Sequence, residues 1–271
     1  MNDLKFSVSM CVYHGDHAVF FDEALESIYN QTCRPDEVVL TVDGPVPTEI
    51  EEVISKYQQA ENMKVVRLEK NMGHGIARRT GLAACQNDLI AIADADDVNA
   101  PTRFEKEIEY FENNPKLTAI STDCYHFVDS IENPLYRESM PTSDEQIKKA
   151  LKTRCPLTQA SVMFKKSKVE EAGGYQDWYH AEDYYLWIRL FQCGGVFANI
   201  PECLLYVRSN PSYISRRGGY KYYRSLKRLF RYMYDNHIIG YPLYLYNIIT
   251  RYVAQVIMPG KIRSVLRKIL S

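Results

Sequence analysis

The feature that most constrains the fold is an alternation, over the first hundred residues, between short apolar segments and stretches of helical periodicity. The apolar segments span residues 7–13, 37–42, 64–68 and 89–93. The first of them is apolar enough for a strand buried on both faces. Strands that alternate with helices over short connections predict an α/β fold with a mostly parallel sheet flanked by helices.

Acidic residues stand where two of the predicted strands end. Asp43-Gly44 follows the second strand, and Asp94-Ala95-Asp96-Asp97 follows the fourth. In parallel α/β sheets, ligands bind beyond the carboxyl ends of the strands. Divalent cations such as Mn²⁺ and Mg²⁺ prefer oxygen ligands shared between carboxylates and substrate phosphates. This pattern indicates a metal site, with a solvated acidic turn that caps the helix near Pro101 as the alternative.

A glycine-bearing loop precedes the helix that carries Arg78 and Arg79. Gly73 and Gly75 allow backbone N–H groups to approach a phosphate, and a helix N-terminus favours anions. Arginine adds a fixed fork of donors for phosphate oxygens. The loop is neither a P-loop nor a complete dinucleotide fingerprint, so it favours phosphate binding without naming the nucleotide.

A second acidic pair, Glu182-Asp183, opens a predicted helix over residues 181–193. A carboxylate there could act as a general base if it reaches the attacking oxygen, and an acidic helix cap is the alternative. Trp178 and the neighbouring Tyr179 could stack on a sugar ring or pack in the core. The nearby histidines, His74 and His180, are more typical of hydrogen-bonded surface groups than of ligands.

Taken in order, these segments resemble the inverting glycosyltransferases of family 2, which adopt the GT-A fold. The resemblance covers residues 6–215. It rests on the opening strand 7–15, Gln31-Thr32, Asp43-Gly44, the loop 71–78, the DxD-like Asp94–Asp97, the segment 160–175 and Glu182-Asp183. Cys11 replaces a proline that is frequent in the family's opening strand. Within the family, the chain is similar to bacterial exopolysaccharide and O-antigen transferases of the amylovoran type, in which a segment like Arg216-Arg217-Gly218-Gly219 follows the catalytic part.

The resemblance implies a role for each matching residue. The donor-binding residues would be Tyr13, Asp43, Arg78, Asp94 and Asp96. Asp96 would bind Mn²⁺ or Mg²⁺ directly. Asp183 would be the catalytic base, with Glu182 and Trp178 on the acceptor side. The implied reaction transfers a hexose, with galactose as the best guess, from a UDP-sugar to a lipid-linked oligosaccharide with inversion at the anomeric carbon.

The C-terminal segment differs from the rest in charge. Residues 216–271 contain twelve basic residues and one acidic residue, Asp235, although the whole chain has a net charge of -1. One face of a helix there would be apolar and the opposite face basic; the apolar residues are Tyr222, Leu226, Leu229, Phe230 and Met233. Residues 262–269 repeat this pattern. The pattern predicts a catalytic domain over 1–215 and a basic amphipathic helical tail over 216–271 that binds an anionic membrane. Packing of the apolar face on the catalytic domain is the alternative.

Other features favour a cytoplasmic protein, peripheral on the inner face of the plasma membrane. The first residues lack the apolar stretch of a signal peptide, and the seven cysteines form no CxxC pair. Polar residues and Pro242 interrupt the apolar region 238–258, which argues against a spanning helix. The expected acceptor is linked to polyprenyl diphosphate, and no nucleic acid is expected. A nucleotidyltransferase and a non-catalytic basic module that binds membranes or nucleic acid remain as alternatives.

Overall fold

The computed structural model describes residues 4–209 and 218–258. The strands are β1 (Phe6–Val12), β2 (Glu37–Asp43), β3 (Met63–Leu68), β4 (Leu89–Asp94), β5 (Val98–Asn99), β6 (Ala119–Phe127), β7 (Tyr136–Glu138), β8 (Met163–Lys165) and β9 (Phe197–Arg208). The helices are α1 (Ala18–Tyr29), α2 (Thr48–Ala60), α3 (His74–Ala84), α4 (Arg103–Asn113), α5 (Asp144–Leu151), α6 (Lys166–Glu171), α7 (Glu182–Gln192), α8 (Gly219–Asp235) and α9 (Tyr241–Tyr252). A 3₁₀ turn lies at Gln159–Ser161, and a π-helical turn at Val253–Ile257 extends α9.

The strands form one sheet in the order β3-β2-β1-β4-β8-β6-β9-β5, and β7 pairs with β6 outside this path. Strands β3, β2, β1 and β4 run parallel to one another, as the alternation predicts. Beyond β4 the sheet is mixed, because β8 runs antiparallel to both β4 and β6. Parallel pairing in the first half brings the carboxyl ends of β1, β2 and β4 to one edge of the sheet.

The second half of the sheet departs from the expected strands. The first two residues of the predicted strand at 160–164 belong to the 3₁₀ turn, and only its last two lie in the three-residue strand β8. The longest strand, β9, was not predicted from the sequence. It carries Pro201 and Glu202, and its register against β6 shifts between Thr122 and Cys124. A strand with a proline and an irregular register lacks the continuous period-2 pattern by which strands are recognised.

Apolar residues form two large clusters. One contains residues of α1, α2 and α4 together with β1 and β2, and the other gathers residues of α3 and α5 to α8. The α8 side chains predicted to form an apolar face are buried in the second cluster with Trp187, except that Tyr222 is half-buried at its edge. Each fully buried side chain of this size contributes about 1.5–3 kcal/mol. For α8, the structure therefore shows the packing alternative; Arg216, Arg217 and the predicted helix over 262–269 lie outside the described residues.

A buried arginine ties α4 to the sheet. Arg103 is fully buried, and its guanidinium donates hydrogen bonds to the side chains of Glu107 and Asn99. It also donates to the backbone oxygens of Ala160, Ile92 and Val162. All three of its nitrogens have partners, which is the condition under which a buried charge is tolerated.

Candidate active site

The end of β2 holds the loop that leads into α3. Asp43 is buried, and its carboxylate accepts hydrogen bonds from the backbone N–H groups of Met72 at 2.7 Å and Gly73 at 3.1 Å. Its position at the sheet edge matches the prediction. The sequence did not indicate that Asp43 contacts the glycine loop, which both of its carboxylate oxygens hold in place.

Helix α3 places Arg78 against the end of β4. Arg78 is 1% exposed, and Nη2 donates to the carboxylate of Asp94, whose side chain is 30% exposed. Among the described residues, Nε and Nη1 of Arg78 have no hydrogen-bond partner. Burial alone would lower the pKa of Arg78, but the Asp94 carboxylate raises it above its ordinary value, so the guanidinium stays charged. Buried donors without acceptors are costly, and an anion at this site would supply acceptors.

The turn Asp94–Asp97 concentrates negative charge at the same edge. Asp96 is half-buried, whereas Asp97 is buried and accepts a hydrogen bond from the backbone N–H of Arg208 at 2.9 Å. Burial raises the pKa of Asp97 well above its usual range, and the carboxylates of Asp96 and Asp94 raise it further. Carboxylates that repel one another in this way provide the oxygen ligands that a hard divalent cation requires.

A further carboxylate at this edge was missed from the sequence. Asp16 follows β1, and its side chain accepts a hydrogen bond from the backbone N–H of Tyr13 at 2.9 Å. Burial raises the pKa of Asp16 to about 7, and the nearby carboxylates of Asp96 and Asp94 raise it as well. The available signal was its position just after the first strand, the same position that pointed to Asp43 and Asp94. Tyr13, predicted on the donor side, lies in this turn.

The start of α7 meets the start of α3. Glu182 is buried, and its Oε1 lies 2.7 Å from Nδ1 of His74. Burial alone would raise the pKa of Glu182, but His74 and Arg78 bring it below its ordinary value. Asp183 is half-buried beside it, and its Oδ1 accepts from the backbone N–H of Tyr184 at 2.6 Å. His74, to which the sequence gave little weight, joins the predicted donor and acceptor sides.

The backbone of α3 also comes close to the backbone of the loop before α7. A Cβ atom on Gly75 would lie 2.8 Å from the backbone oxygen of Gln176, in the loop that leads to α7. Glycine at position 75 is therefore required for α3 to contact this loop.

Trp178 is packed rather than presented to solvent. It is 6% exposed, and its Nε1 donates to the backbone oxygen of Ser225 on α8 at 3.3 Å. The Tyr185 ring lies 4.2 Å away between centroids, and the Arg228 guanidinium lies 4.0 Å over the indole. A residue that stacks on a sugar needs an open ring face. Its neighbour Tyr179 is 40% exposed.

A cavity of about 380 Å³ lies next to the carboxylate edge. It is bounded by Glu23 and Ser27 of α1, by residues 129–131 and by Arg208. Arg208 also donates from Nε to the backbone oxygen of Asp96 at 3.0 Å. Within the described part of the chain, the lining contains none of the predicted site residues, so we do not assign this cavity to the donor.

The chain belongs to glycosyl transferase family 2, whose sequence profile matches residues 7–173. It is 36% identical over 264 residues to the Escherichia coli UDP-Gal:alpha-D-GlcNAc-diphosphoundecaprenol beta-1,3-galactosyltransferase, an alignment that covers 97% of this chain and 95% of the relative. It is 34% identical to the Erwinia amylovora amylovoran biosynthesis glycosyltransferase AmsE, with 83% and 84% covered. These matches confirm the resemblance to family 2 and to amylovoran-type transferases.

Solved structures show the same fold. The S. aureus TarS 1–349 complex with UDP-GlcNAc superposes with a TM-score of 0.70 at 16% identity, covering 93% of this chain and 74% of the other. The mannosyltransferase PcManGT from Pyrobaculum calidifontis, in complex with GDP-Man and Mn²⁺, gives 0.64 at 16% identity, with 92% and 70% covered. The fold is therefore GT-A, as predicted, and the activity is glycosyl transfer, which sets aside both the nucleotidyltransferase and the non-catalytic module. Within the described residues, every helix is too short or too polar to cross a membrane.

Proposed function

We propose that this enzyme transfers galactose from UDP-galactose, with inversion, to a sugar carried on a polyprenyl diphosphate, in the assembly of a bacterial surface polysaccharide. The observation that carries the proposal is the similarity to the E. coli galactosyltransferase over nearly the full length of both chains. The similarity to AmsE supports the wider setting of polysaccharide synthesis.

On the donor side, the charged edge of the sheet would bind the nucleotide diphosphate. Arg78 offers two buried donor atoms without described partners, which suit phosphate oxygens. Asp43 fixes the glycine loop next to the donor and would also contact the uracil or ribose. Asp94 orients Arg78 and would contact the donor sugar or ribose, while Tyr13 would line the nucleotide site.

The carboxylates at this edge fit a hard divalent cation. Asp96 would hold Mn²⁺ or Mg²⁺, because it is half-buried near Asp97 and Asp16, whose pKa values are raised first by burial and further by the neighbouring carboxylates. When bound, the ion would neutralise the negative charge of the departing diphosphate.

On the acceptor side, Asp183 would remove the proton from the attacking hydroxyl. It stands at the first turn of α7 and is half-buried, so water and a hydroxyl can reach it more readily than its buried neighbour Glu182. Glu182 is held by His74 and would position the start of α7 against the donor side. Attack from the face opposite the diphosphate would invert the anomeric carbon.

The test measures the nucleoside diphosphate (UDP or GDP) that the full-length protein releases with Mn²⁺, a GlcNAc-diphosphate-lipid acceptor and a panel of UDP-Gal, UDP-Glc, UDP-GlcNAc and GDP-Man. We expect acceptor-dependent release with UDP-Gal and a β-linked product by NMR. Asp183→Asn should lower this rate by about 10²–10⁴-fold while UDP binding persists, because a general base contributes on that order. Absence of acceptor-dependent release with every donor would refute the proposal.

We also propose that the enzyme works at an anionic membrane on the cytoplasmic side, with α9 and the turn after it facing the lipid. The apolar side of α8 is buried, but Tyr246, Ile249, Val253 and Ile257 are exposed at helical spacing, Ile257 to 62%. The outward side chains of α8 supply positive charge; they are Lys221, Arg224, Lys227, Arg228 and Arg231. Exposed apolar residues on α9 and basic side chains on α8, which contacts α9, suit an interface with anionic lipid.

Vesicle co-sedimentation tests this surface. We expect binding to phosphatidylglycerol vesicles, weaker binding to phosphatidylcholine vesicles, and a decrease with added salt. Replacing Ile249 and Ile257 by Ser should reduce binding, whereas Val19→Ser, at an exposed apolar residue of α1, should not. Equal loss in both variants, or equal binding to both lipids, would argue against this face.

A further inference from the structure

A second group of metal-ligating side chains lies on the ribbon formed by β6 and β7. Cys124 and His126 are two residues apart on β6, so their side chains project from the same face. Glu138 of β7 stands directly opposite Cys124 in the antiparallel ladder. The ribbon thus brings a sulfur, a nitrogen and an oxygen ligand to one face without any residue of the Asp94–Asp97 turn.

The ligand atoms are spaced as around a small cation. Cys124 Sγ lies 3.7 Å from His126 Nε2 and 3.9 Å from Glu138 Oε2. Ligands of tetrahedral Zn²⁺, with bonds of about 2.0–2.3 Å, lie roughly 3.3–3.6 Å apart. His126 Nε2 and Glu138 Oε2 are at the hydrogen-bonding distance of 2.7 Å, so this separation would lengthen by roughly half an ångström when an ion replaces the shared proton.

The histidine is held in the orientation that a metal ligand needs. His126 and Cys124 are fully buried, and His126 Nδ1 lies 2.7 Å from the Ser209 hydroxyl. The imidazole also stacks on Tyr136, with centroids 4.5 Å apart and planes 11° apart. Metal-binding histidines usually engage the other ring nitrogen in a hydrogen bond of this kind, which leaves Nε2 to face the metal.

We propose that Cys124, His126 and Glu138 bind one Zn²⁺, with water as the fourth ligand. A mixed sulfur, nitrogen and oxygen set selects zinc over Mn²⁺ and Mg²⁺, which prefer oxygen ligands alone. Binding releases the thiol proton to solvent, leaves the imidazole proton on His126 Nδ1, where it is donated to Ser209, and involves no change of redox state. The ion would fasten β7, whose described strand partner is β6, to the rest of the sheet.

Cobalt substitution tests the site independently of sugar transfer. The full-length protein, stripped with EDTA and kept in excess Mg²⁺ to occupy oxygen-ligand sites, is titrated with Co²⁺ as a spectroscopic replacement for zinc. We expect one equivalent to bind with a thiolate-to-cobalt charge-transfer band, and Zn²⁺ to displace it. Asp96→Asn should keep the band, which separates this site from the catalytic edge.

The variants assign the ligands. Cys124→Ser should abolish the band, whereas Cys193→Ser, at an exposed cysteine, should retain it. Since Cys124→Ser alters a buried position, Ser209→Ala provides a second test and should weaken Co²⁺ binding by about 10–100-fold, as loss of a supporting hydrogen bond does. Circular dichroism verifies that each variant is folded. Absence of a thiolate band in the parent protein, or a band that survives in folded Cys124→Ser, would overturn the proposal and leave a hydrogen-bonded His126–Glu138 pair.

Discussion

Two arginines are buried near strand β4, and they are partnered in opposite ways. Arg103, from α4, donates to two side chains and three backbone oxygens, so each of its nitrogens has an acceptor. Arg78, from α3, is as buried but donates to Asp94, while Nε and Nη1 lack partners among the described residues.

We infer that the difference separates a side chain that maintains the fold from one that, under the proposed function, binds the donor diphosphate. A fully hydrogen-bonded buried charge holds the elements around it in place, and its removal leaves several acceptors unsatisfied. A buried guanidinium with unpartnered N–H groups lowers the stability of the fold, but the same N–H groups are already oriented to bind an anion. Burial and charge are the same in the two arginines, so the number of satisfied donors distinguishes them.

The largest expected effect is on stability at Arg103. Arg103→Met should lower the free energy of unfolding by about 3–5 kcal/mol, because Glu107 would lose its buried partner. Burial already raises the pKa of Glu107 to about 7 against the opposing effect of Arg103. Urea denaturation measures the loss. Glu107→Gln, which keeps an acceptor for Nε, is the matched control and should lose less.

The next effect is on catalysis at Arg78. Arg78→Met should reduce kcat/KM by about 10²–10³-fold, the usual consequence of removing a preorganised donor that faces developing charge. The free energy of unfolding should fall by less than about 1 kcal/mol, since the Asp94 carboxylate is part-exposed and water can replace the lost partner. A loss of stability comparable to that at Arg103 would erase the contrast between the two.

A smaller effect is expected at Asp16 and depends on pH. Its folded-state pKa of about 7 lies above the unfolded value, so stability is complete below about pH 4 and declines as pH rises to 7. A pKa rise of about three units corresponds to roughly 4 kcal/mol. Asp16→Asn removes this penalty but accepts the Tyr13 N–H less strongly than a carboxylate does, so it should stabilise the metal-free protein by about 2 kcal/mol above pH 7, with no gain at pH 4. Thermal unfolding in EDTA across this range measures it, and a gain that is constant with pH would contradict the assignment.

The smallest effect concerns Trp178. Trp178→Phe should cost about 1 kcal/mol of stability through loss of the hydrogen bond to Ser225, with the acceptor KM unchanged. Thermal unfolding and acceptor titration separate the two quantities. An acceptor KM raised severalfold with stability intact would restore Trp178 to the sugar-binding role predicted from its sequence position.

The parts of the site that the sequence predicted are those fixed by local rules. Asp43 and Asp94 stand where parallel strands end, and Arg78 follows a glycine loop into a helix, so strand–helix alternation was enough to bring them together. The bond between His74 and Glu182 spans 108 residues and depends on how α3 packs against the loop before α7. Spacing along the chain carries no signal for such a contact.

In the fold as well, the elements set by local sequence patterns were predicted and those set by contacts distant in sequence were not. The parallel first half was predicted because its strands are continuous apolar segments, whereas β9 is interrupted by Pro201 and was missed. The apolar face of α8 was predicted from its period, but whether that face meets lipid or protein depends on Trp187 and its neighbours, which only the folded structure places there.

The contact between Gly75 and Gln176 limits how this enzyme can change its substrates. Any larger side chain at position 75 would displace the loop that sets the start of α7, and with it Glu182 and Asp183. Alterations of the glycine loop that suit another nucleotide sugar must therefore keep glycine at position 75, because the space between its Cα and the backbone oxygen of Gln176 admits only a hydrogen atom. Under the proposed roles, a change at position 75 alters the donor side and the acceptor side together, so replacing the glycine loop by that of a relative requires replacing the loop before α7 as well.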